Sequence, residues 1–363
     1  MKSKPIKILF VVETLGGHGG MENVTRQVIN LLNDDPAYSA GIYLFESNEK
    51  IASNVWSAEC VWGQSRRVTR NPKISRLIHT LRFAWFVSKH KPDHVIAMNT
   101  IPCLLARKAL KLAQHKVPLY SWMHLPPKER YRPHYLMLAD KHLAISQEIK
   151  HQLISLGALP EQVHVVFNPV KPVDNIIPRP DVTRFLFVGR VHFQDQKQLK
   201  DLLDALCQVK GCWSLDIVGE GDDRSRCERY AIELGVADKI TWHGWQTPAW
   251  DYVESHIKTV TSLVLTSNHE GFPLTLLEAM ARGVFCVSSD CVSGPAEIIS
   301  HQNGQLYPVN DVDALARILQ RIVDGVELPS AMMIKASVSK FSEPYYIVNI
   351  KNILVQDNKI ERV

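Results

Sequence analysis

No stretch of this 363-residue chain approaches the roughly 18 consecutive apolar residues that a membrane-spanning helix needs. Its basic start, Met1 to Lys7, runs into an apolar strand without a small-residue cleavage site, so a cytoplasmic location is expected. Cysteine is scarce and scattered: the seven thiols form no CxxC pair, and an odd count argues against a disulfide framework. Reduced thiols, mostly in the core, are the expectation. Also missing are a solenoid repeat and any low-complexity tract. The glycine-rich stretch after the first strand lacks the third glycine of a dinucleotide fingerprint, since Glu22 stands in its place, and no Walker lysine follows.

What is present is a globular balance of 45% hydrophobic and 22% charged residues. The length suits two domains of roughly 150 to 200 residues with a cleft between them. The net charge of +5 hides an asymmetry. Residues 1–170 hold 22 basic and 12 acidic side chains, and the remainder holds 20 and 25. Such a first half suits an anionic partner, although a lopsided solvated surface would read the same way.

Short apolar runs alternate with helical patterns. Strands are predicted at Ile6–Glu13, Ile42–Phe45, His94–Met98, Leu119–Met123, His142–Ile145 and Val163–Phe167. Helices are predicted at Gly20–Leu32, Ser75–Ser88 and Gln147–Leu156. The segment 168–180, NPVKPVDNIIPRP, holds four prolines and reads as a linker. The alternation then restarts at Arg184–Val188, Ser214–Val218, Ile240–His243, Leu263–Thr266 and Val284–Ser288. The expected division is an N-terminal domain 1–168, a Pro-rich linker 169–180, a C-terminal domain 181–343, and a last helix in 344–363 whose packing stays open. Both domains should be α/β, doubly wound parallel sheets of Rossmann type.

Ligands of such sheets lie beyond the carboxyl ends of the strands. Gly16, Gly17, Gly19 and Gly20 follow the first strand, where bare backbone could approach a ligand or merely make tight turns. Gly189 and Arg190 end the strand before Lys197. A guanidinium and an ammonium could neutralise a diphosphate, although either residue alone would more often be a surface cation. Glu270–Glu278 reads EGFPLTLLE, where Pro273 suits a helix start and the amides from Gly271 to Thr275 suit phosphate. Glu270 and Glu278 could accept sugar hydroxyls; Glu278 could equally complement a helix dipole.

Gly189-Arg190, Lys197 and the Glu270-x7-Glu278 spacing resemble the donor site of retaining glycosyltransferases of the GT-B fold, family 4. His124 in SWMH and Gly219-Glu220-Gly221 extend the likeness. The segments at residues 139–146, 166–170, 244–250 and 290–296 narrow the resemblance to lipopolysaccharide core α-1,6-galactosyltransferases.

The resemblance implies two Rossmann-like domains facing a cleft, a UDP-sugar donor, a lipopolysaccharide core acceptor and no nucleic acid. Arg190 and Lys197 would stabilise the departing diphosphate. Glu278 would hold the ribose; Glu270, Gly271 and Phe272 the donor sugar. Pro273, Thr275, Gly189, Gly219 and Trp245 would line the donor side. His124 would reach the donor sugar, though a satisfied core histidine is the alternative, and Gly17 and Gly19 would approach diphosphate or acceptor. Lys197-Gln198 departs from the family's frequent Lys-Gly.

No cofactor or metal is expected: the one Asp-x-Asp, Asp311-Val312-Asp313, sits at a helix start where capping explains it better. The basic half would dock on the anionic inner membrane, with Lys128 to Lys150 as candidate surface through Arg130, Tyr131, Arg132, His134, Tyr135, Lys141 and His142. A UDP-sugar 2-epimerase, a non-enzymatic nucleotide-sugar-binding module and a family 4 enzyme using UDP-glucose or UDP-N-acetylglucosamine are the alternatives.

Overall fold

A computed structural model describes residues 4–13, 19–46 and 60–360, and they divide into two compact units. One unit comprises residues 1–169 and 343–363, the other residues 170–342.

The first unit is a seven-stranded sheet of β1 (Ile6–Glu13), β2 (Tyr38–Phe45), β3 (Val61–Ser65), β4 (His94–Ala97), β5 (Leu119–Met123), β6 (Lys141–Ala144) and β7 (Val163–Val165). Their order is β3-β2-β1-β4-β5-β6-β7, and every pairing is parallel. Its helices are α1 (Gly20–Asn33), α2 (Pro72–His90), α3 (Thr100–Leu112) and α4 (Gln147–Ser155). β1 is buried at Ile8 through Val12 because helices cover both faces, which is why it reads as a continuous apolar run and not an alternation.

α2 begins at Pro72, three residues earlier than its hydrophobic pattern suggests. The Asn71 side chain accepts from the backbone N–H of Lys73 (3.0 Å) and Ile74 (3.4 Å), and Pro72 occupies the first turn, where its missing N–H has no cost. Its inner face lays Phe83 and Phe86 on Tyr43, with ring centroids 4.6 and 4.8 Å apart. His79 reaches Ser65 of β3, Nδ1 to Oγ 2.6 Å.

The second unit carries β8 (Thr183–Val188), β9 (Trp213–Val218), β10 (Ile240–Gly244), β11 (Ser262–Leu265), β12 (Phe285–Ser289) and β13 (Gly304–Tyr307) in the parallel order β10-β9-β8-β11-β12-β13. Around them lie α5 (Leu199–Gln208), α6 (Arg224–Glu233), α7 (Ala249–Tyr252), α8 (Leu274–Met280), α9 (Pro295–Ile298), α10 (Val312–Val323) and α11 (Ala331–Ser337). The order reverses between β1 and β4 in one sheet and between β8 and β11 in the other. Each reversal opens a crevice beyond the strand ends, where α/β sheets bind ligands.

Two strands went unread in the sequence, and both are sheet edges. β3 contains Gly63 and Gln64 and owes its extension to pairing with β2, where Trp62 covers Gly41 so closely that a Cβ there would overlap the indole. Among the described residues β13 pairs only with β12. The proline-rich segment is laid against the second unit: Val170 N–H donates to Phe341 O (2.8 Å) and Ile177 N–H to Arg282 O (3.0 Å).

The last helix, α12 (Glu343–Ile360), joins the first unit. Lys351 Nζ reaches Asp35 at 2.6 Å, and Gln27 Nε2 donates to Glu343 at 2.8 Å. Among the described residues no helix is long and apolar enough to cross a membrane. Five of the seven thiols are buried, and all seven are free.

Two buried histidines make stability depend on pH. Burial, only partly offset by Asp140, pushes His142 down to about 4, and burial alone takes His124 down to about 3. In the unfolded chain both would take up protons near 6.5, so between that value and about 4 the unfolded state binds more protons. Stability therefore falls as pH drops through this window. The urea midpoint is expected to be lower at pH 5 than at pH 7, with His142→Asn flattening the difference; equal midpoints at both pH values would refute this account.

Candidate active site

The second unit's crevice is built by loops that follow β8 and β11. At the carboxyl edge the strands hand on to one another through glycines: Gly189 N–H donates to Val218 O (3.1 Å) and Gly219 N–H to Gly244 O (2.9 Å). Gly219 has φ +156°, and a Cβ there would overlap the carbonyl oxygen of Gly189. Only glycine lets these two backbones come so close.

The loop after β8 is tied to the loop after β11. Thr266 Oγ1 donates to Lys197 O (2.8 Å), Asn268 N–H to Gln196 O (3.0 Å) and Gln196 Nε2 to His269 O (3.3 Å). These bonds set Lys197 Nζ 2.7 Å from Glu270 Oε1, with the two side chains only 13% and 9% exposed. Ser267 Oγ donates to the same oxygen at 2.6 Å. Two donors thus hold Oε1 of Glu270.

Lys197 leads directly into Gln198, which takes a left-handed conformation at φ 42°. The loop makes this turn without the glycine of the family pattern, and the Gln198 side chain donates to Asn310 Oδ1 at 2.8 Å. Arg190 is exposed and makes no ion pair among the described residues.

Beyond Glu270 the chain passes through Gly271, Phe272 and Pro273, all buried, before α8 starts at Leu274 with Thr275 partly exposed. Ser293 Oγ donates to Gly271 O (2.7 Å), and Gly294, at φ +100°, lies so close to Phe272 and Pro273 that a side chain there would displace them.

One turn into α8, Glu278 accepts from Trp250 Nε1 at 2.8 Å. Burial raises the Glu278 carboxyl above its ordinary range against the pull of that N–H and of Arg282. Arg282 stacks on Trp250 (4.9 Å to the ring centroid) and pairs with Glu254 at 2.6 Å. Trp250, Ser267 and Thr266 were not singled out from the sequence. Trp250 stood in a family-like segment, but nothing in one dimension pairs it with a carboxylate 28 residues away.

Trp245 follows β10, exposed, with Nε1 donating to Thr247 Oγ1 at 2.9 Å. Asp311 caps α10 by accepting from Ala314 N–H at 2.8 Å, and Asp313 accepts from Gln208 at 3.1 Å. Among the described residues no group of three or more His, Cys, Asp or Glu could hold a metal ion.

His124 directly follows β5 in the first unit. It is buried, its ring lies 4.3 Å from that of Trp122, and its Nε2 has no partner among the described residues. Gly19 precedes α1 as its N-cap, and Gly17 lies outside the described residues. The surface expected over Lys128 to Lys150 needs correction at His142, which is buried on β6 and bonded to Ser121 Oγ (2.7 Å). A strand's inward side chain cannot serve a docking face. Tyr131 and Arg132 do remain exposed.

Two Rossmann-like parallel sheets with cationic and acidic side chains at the second switch point define a GT-B glycosyltransferase. The family described as Glycosyltransferase Family 4 matches residues 18–173, and that described as Glycosyl transferases group 1 matches residues 182–324. The chain belongs to these family 4 glycosyltransferases and is an enzyme of that class, which sets aside the epimerase and binding-module alternatives.

It is 37% identical over 354 residues to the lipopolysaccharide 1,6-galactosyltransferase of Escherichia coli (strain K12), covering 96% of this chain and 98% of that protein. The Salmonella typhimurium protein of the same name is 36% identical over the same length. The solved apo form of the lipopolysaccharide outer core galactosyltransferase WaaB superposes with a TM-score of 0.89 at 36% identity, covering 97% of this chain and 99% of that one. Anabaena Alr3699/HepE in complex with UDP, at 18% identity and a TM-score of 0.78, shares the fold.

The buried ion pair yields a stability prediction. Glu270→Ala leaves the Lys197 ammonium buried without its acid and should cost about 3–5 kcal/mol. Lys197→Met with Glu270→Leu removes both charges and should cost far less. Thermal denaturation of the two variants checks the order; equal losses would contradict the pair's buried character.

Proposed function

We propose that the chain transfers galactose from UDP-galactose to a glucose of the lipopolysaccharide core, in α-1,6 linkage, with retention of configuration and without a metal ion. The observation that carries this reading is the 37% identity to a lipopolysaccharide 1,6-galactosyltransferase across 96% of the chain.

The site residues fit such chemistry. As the glycosidic bond breaks, charge builds on the diphosphate, and preorganised cations at that point are commonly the largest catalytic contribution. Arg190 is free to fork onto phosphate oxygens, and Lys197 is already held in place by Glu270 and by the loop bonds. The second carboxylate oxygen of Glu270 and the amides of Gly271 and Phe272 are suited to donor sugar hydroxyls. Glu278, oriented by Trp250, is suited to the ribose diol. Gly189 and Gly219 leave bare backbone beside the phosphates, with Pro273 and Thr275 at the start of α8 and Trp245 on the donor side. Burial pushes the His124 imidazole down to about 3, so near neutral pH its ring would offer a hydrogen bond to a sugar hydroxyl and not a full proton.

Glu270 lies against Lys197 and Glu278 against Trp250, which suits holding groups better than a general acid and base. Retention then follows attack on the face the diphosphate leaves, with a diphosphate oxygen taking the acceptor proton. The enzyme works in the cytoplasm at the anionic inner-membrane surface where the lipid-linked acceptor resides.

Transfer assays with purified protein, defined core acceptors and UDP-galactose, UDP-glucose or UDP-N-acetylglucosamine test this. Turnover is expected with UDP-galactose, undiminished by EDTA, giving an α-linked product by NMR; Lys197→Ala should lower kcat about 10²–10³-fold. Preference for another donor, or loss of turnover in EDTA, would overturn the corresponding part of the reading.

A further inference from the structure

α2 is apolar on two sides. The inner side packs Phe83, Phe86 and Val87 on the sheet. The outer side carries Ile74, Leu77, Leu81 and Trp85, each between 49% and 66% exposed. Their spacing of three, four and four residues puts them on one stripe about 16 Å long. Single exposed apolar side chains are ordinary, but four in a row along one helix face mark an interaction surface.

Within residues 60–92, which carry this stripe, the charge has one sign. From Cys60 to Pro92 the sequence holds eight Lys or Arg and no Asp or Glu. Arg66, which pairs with Glu46 at 3.8 Å, and Arg70, Lys73 and Lys89 are exposed, and Lys89 lies over the Trp85 ring at 5.3 Å. An aliphatic stripe with an aromatic and a basic rim is the composition of a helix that lies in the headgroup region of an anionic bilayer.

We propose that the outer face of α2 is the surface by which this chain lies on an anionic lipid bilayer, with Ile74, Leu77, Leu81 and Trp85 entering the headgroup layer and the flanking cations meeting lipid phosphates. The proposal deepens the reading of the acceptor as a membrane glycolipid and rests on it for its biological purpose. Lipid fits better than the other occupants. A second copy would bring two predominantly basic patches together and repel. A nucleic acid would use the cations but gains little from isoleucine and leucine, since bases bind by stacking on rings. Long Lys and Arg stems also cover apolar surface while their charges stay at the phosphates.

The test is flotation of the full chain with vesicles that contain neither glycolipid nor UDP-sugar, so docking is read without turnover. Binding is expected to vesicles of phosphatidylethanolamine with phosphatidylglycerol and not to phosphatidylcholine alone. Leu77→Ser with Leu81→Ser and Trp85→Ser should lower binding at least about tenfold. Arg70→Glu with Lys73→Glu should lower it at least about 25-fold, from roughly fivefold for each cation lost.

All five positions are exposed, so the melting temperature and transfer to a delipidated core acceptor should stay as in the wild type. The proposal is overturned if the wild type floats equally on both vesicles, or if the apolar variant floats as the wild type does. It is equally overturned if the stripe instead supports a dimer in sedimentation velocity or binding to single-stranded RNA. Absence of galactosyl transfer with vesicle binding intact would count against the proposed function and leave the docking face standing.

Discussion

Parallel pairing delivers the carboxyl end of every strand to the same edge of its sheet, and the functional chemistry of this chain depends on that constraint. In the second unit the edge carries the loop after β8, with Arg190 and Lys197, and the loop after β11, with Glu270. These strands neighbour each other in space although 73 residues separate Lys197 from Glu270. The strand order reverses between them, so their following helices pack on opposite faces and leave room for a ligand. The glycine contacts at Gly189 and Gly219 then bring the backbone close enough to line that room.

The pairing of Lys197 with Glu270 gives this edge its rigidity. Desolvating two charges is costly and is tolerated where geometry and further hydrogen bonds satisfy them. Here Ser267 adds a donor to the shared oxygen, and Thr266 fixes the lysine's own backbone. The outcome is an ammonium whose position is set before any donor binds, which is what stabilisation of a developing negative charge requires. Arg190 is exposed and makes no ion pair among the described residues, and in the proposed reading it complements Lys197 as the cation that adapts. Glu278 is held separately, by Trp250, on whose ring Arg282 stacks.

The first unit serves a different constraint. Its helix α2 covers the sheet with one face and leaves a second apolar face exposed beside basic side chains, the feature behind the proposed bilayer contact. The same segment shows how patterning can mislead: the apolar residues of α2 gave the helix, but counting them could not say which stripe faced inward. Phe83 and Phe86 are inside because Tyr43 and Phe45 of β2 offer rings to pack on.

Most of the fold was legible because buried parallel strands are continuous apolar runs and helices repeat at 3.6 residues; β1 and β5 have the limits their sequences suggest. The edges β3 and β13 were not, since Gly63 and Gly304 become strand only through a neighbour's hydrogen bonds. The start of α2 lies in Asn71-Pro72, a local capping signal that hydrophobic periodicity does not register. By itself the sequence determined the two-sheet architecture, the candidate cations and carboxylates, and the capping role of Asp311, because each rests on local spacing or composition. Only the tertiary structure decided that Lys197 pairs with Glu270, that Trp250 orients Glu278, and that the last helix joins the first unit. These are contacts between residues far apart in the chain, and burial and distance are properties of the folded molecule alone.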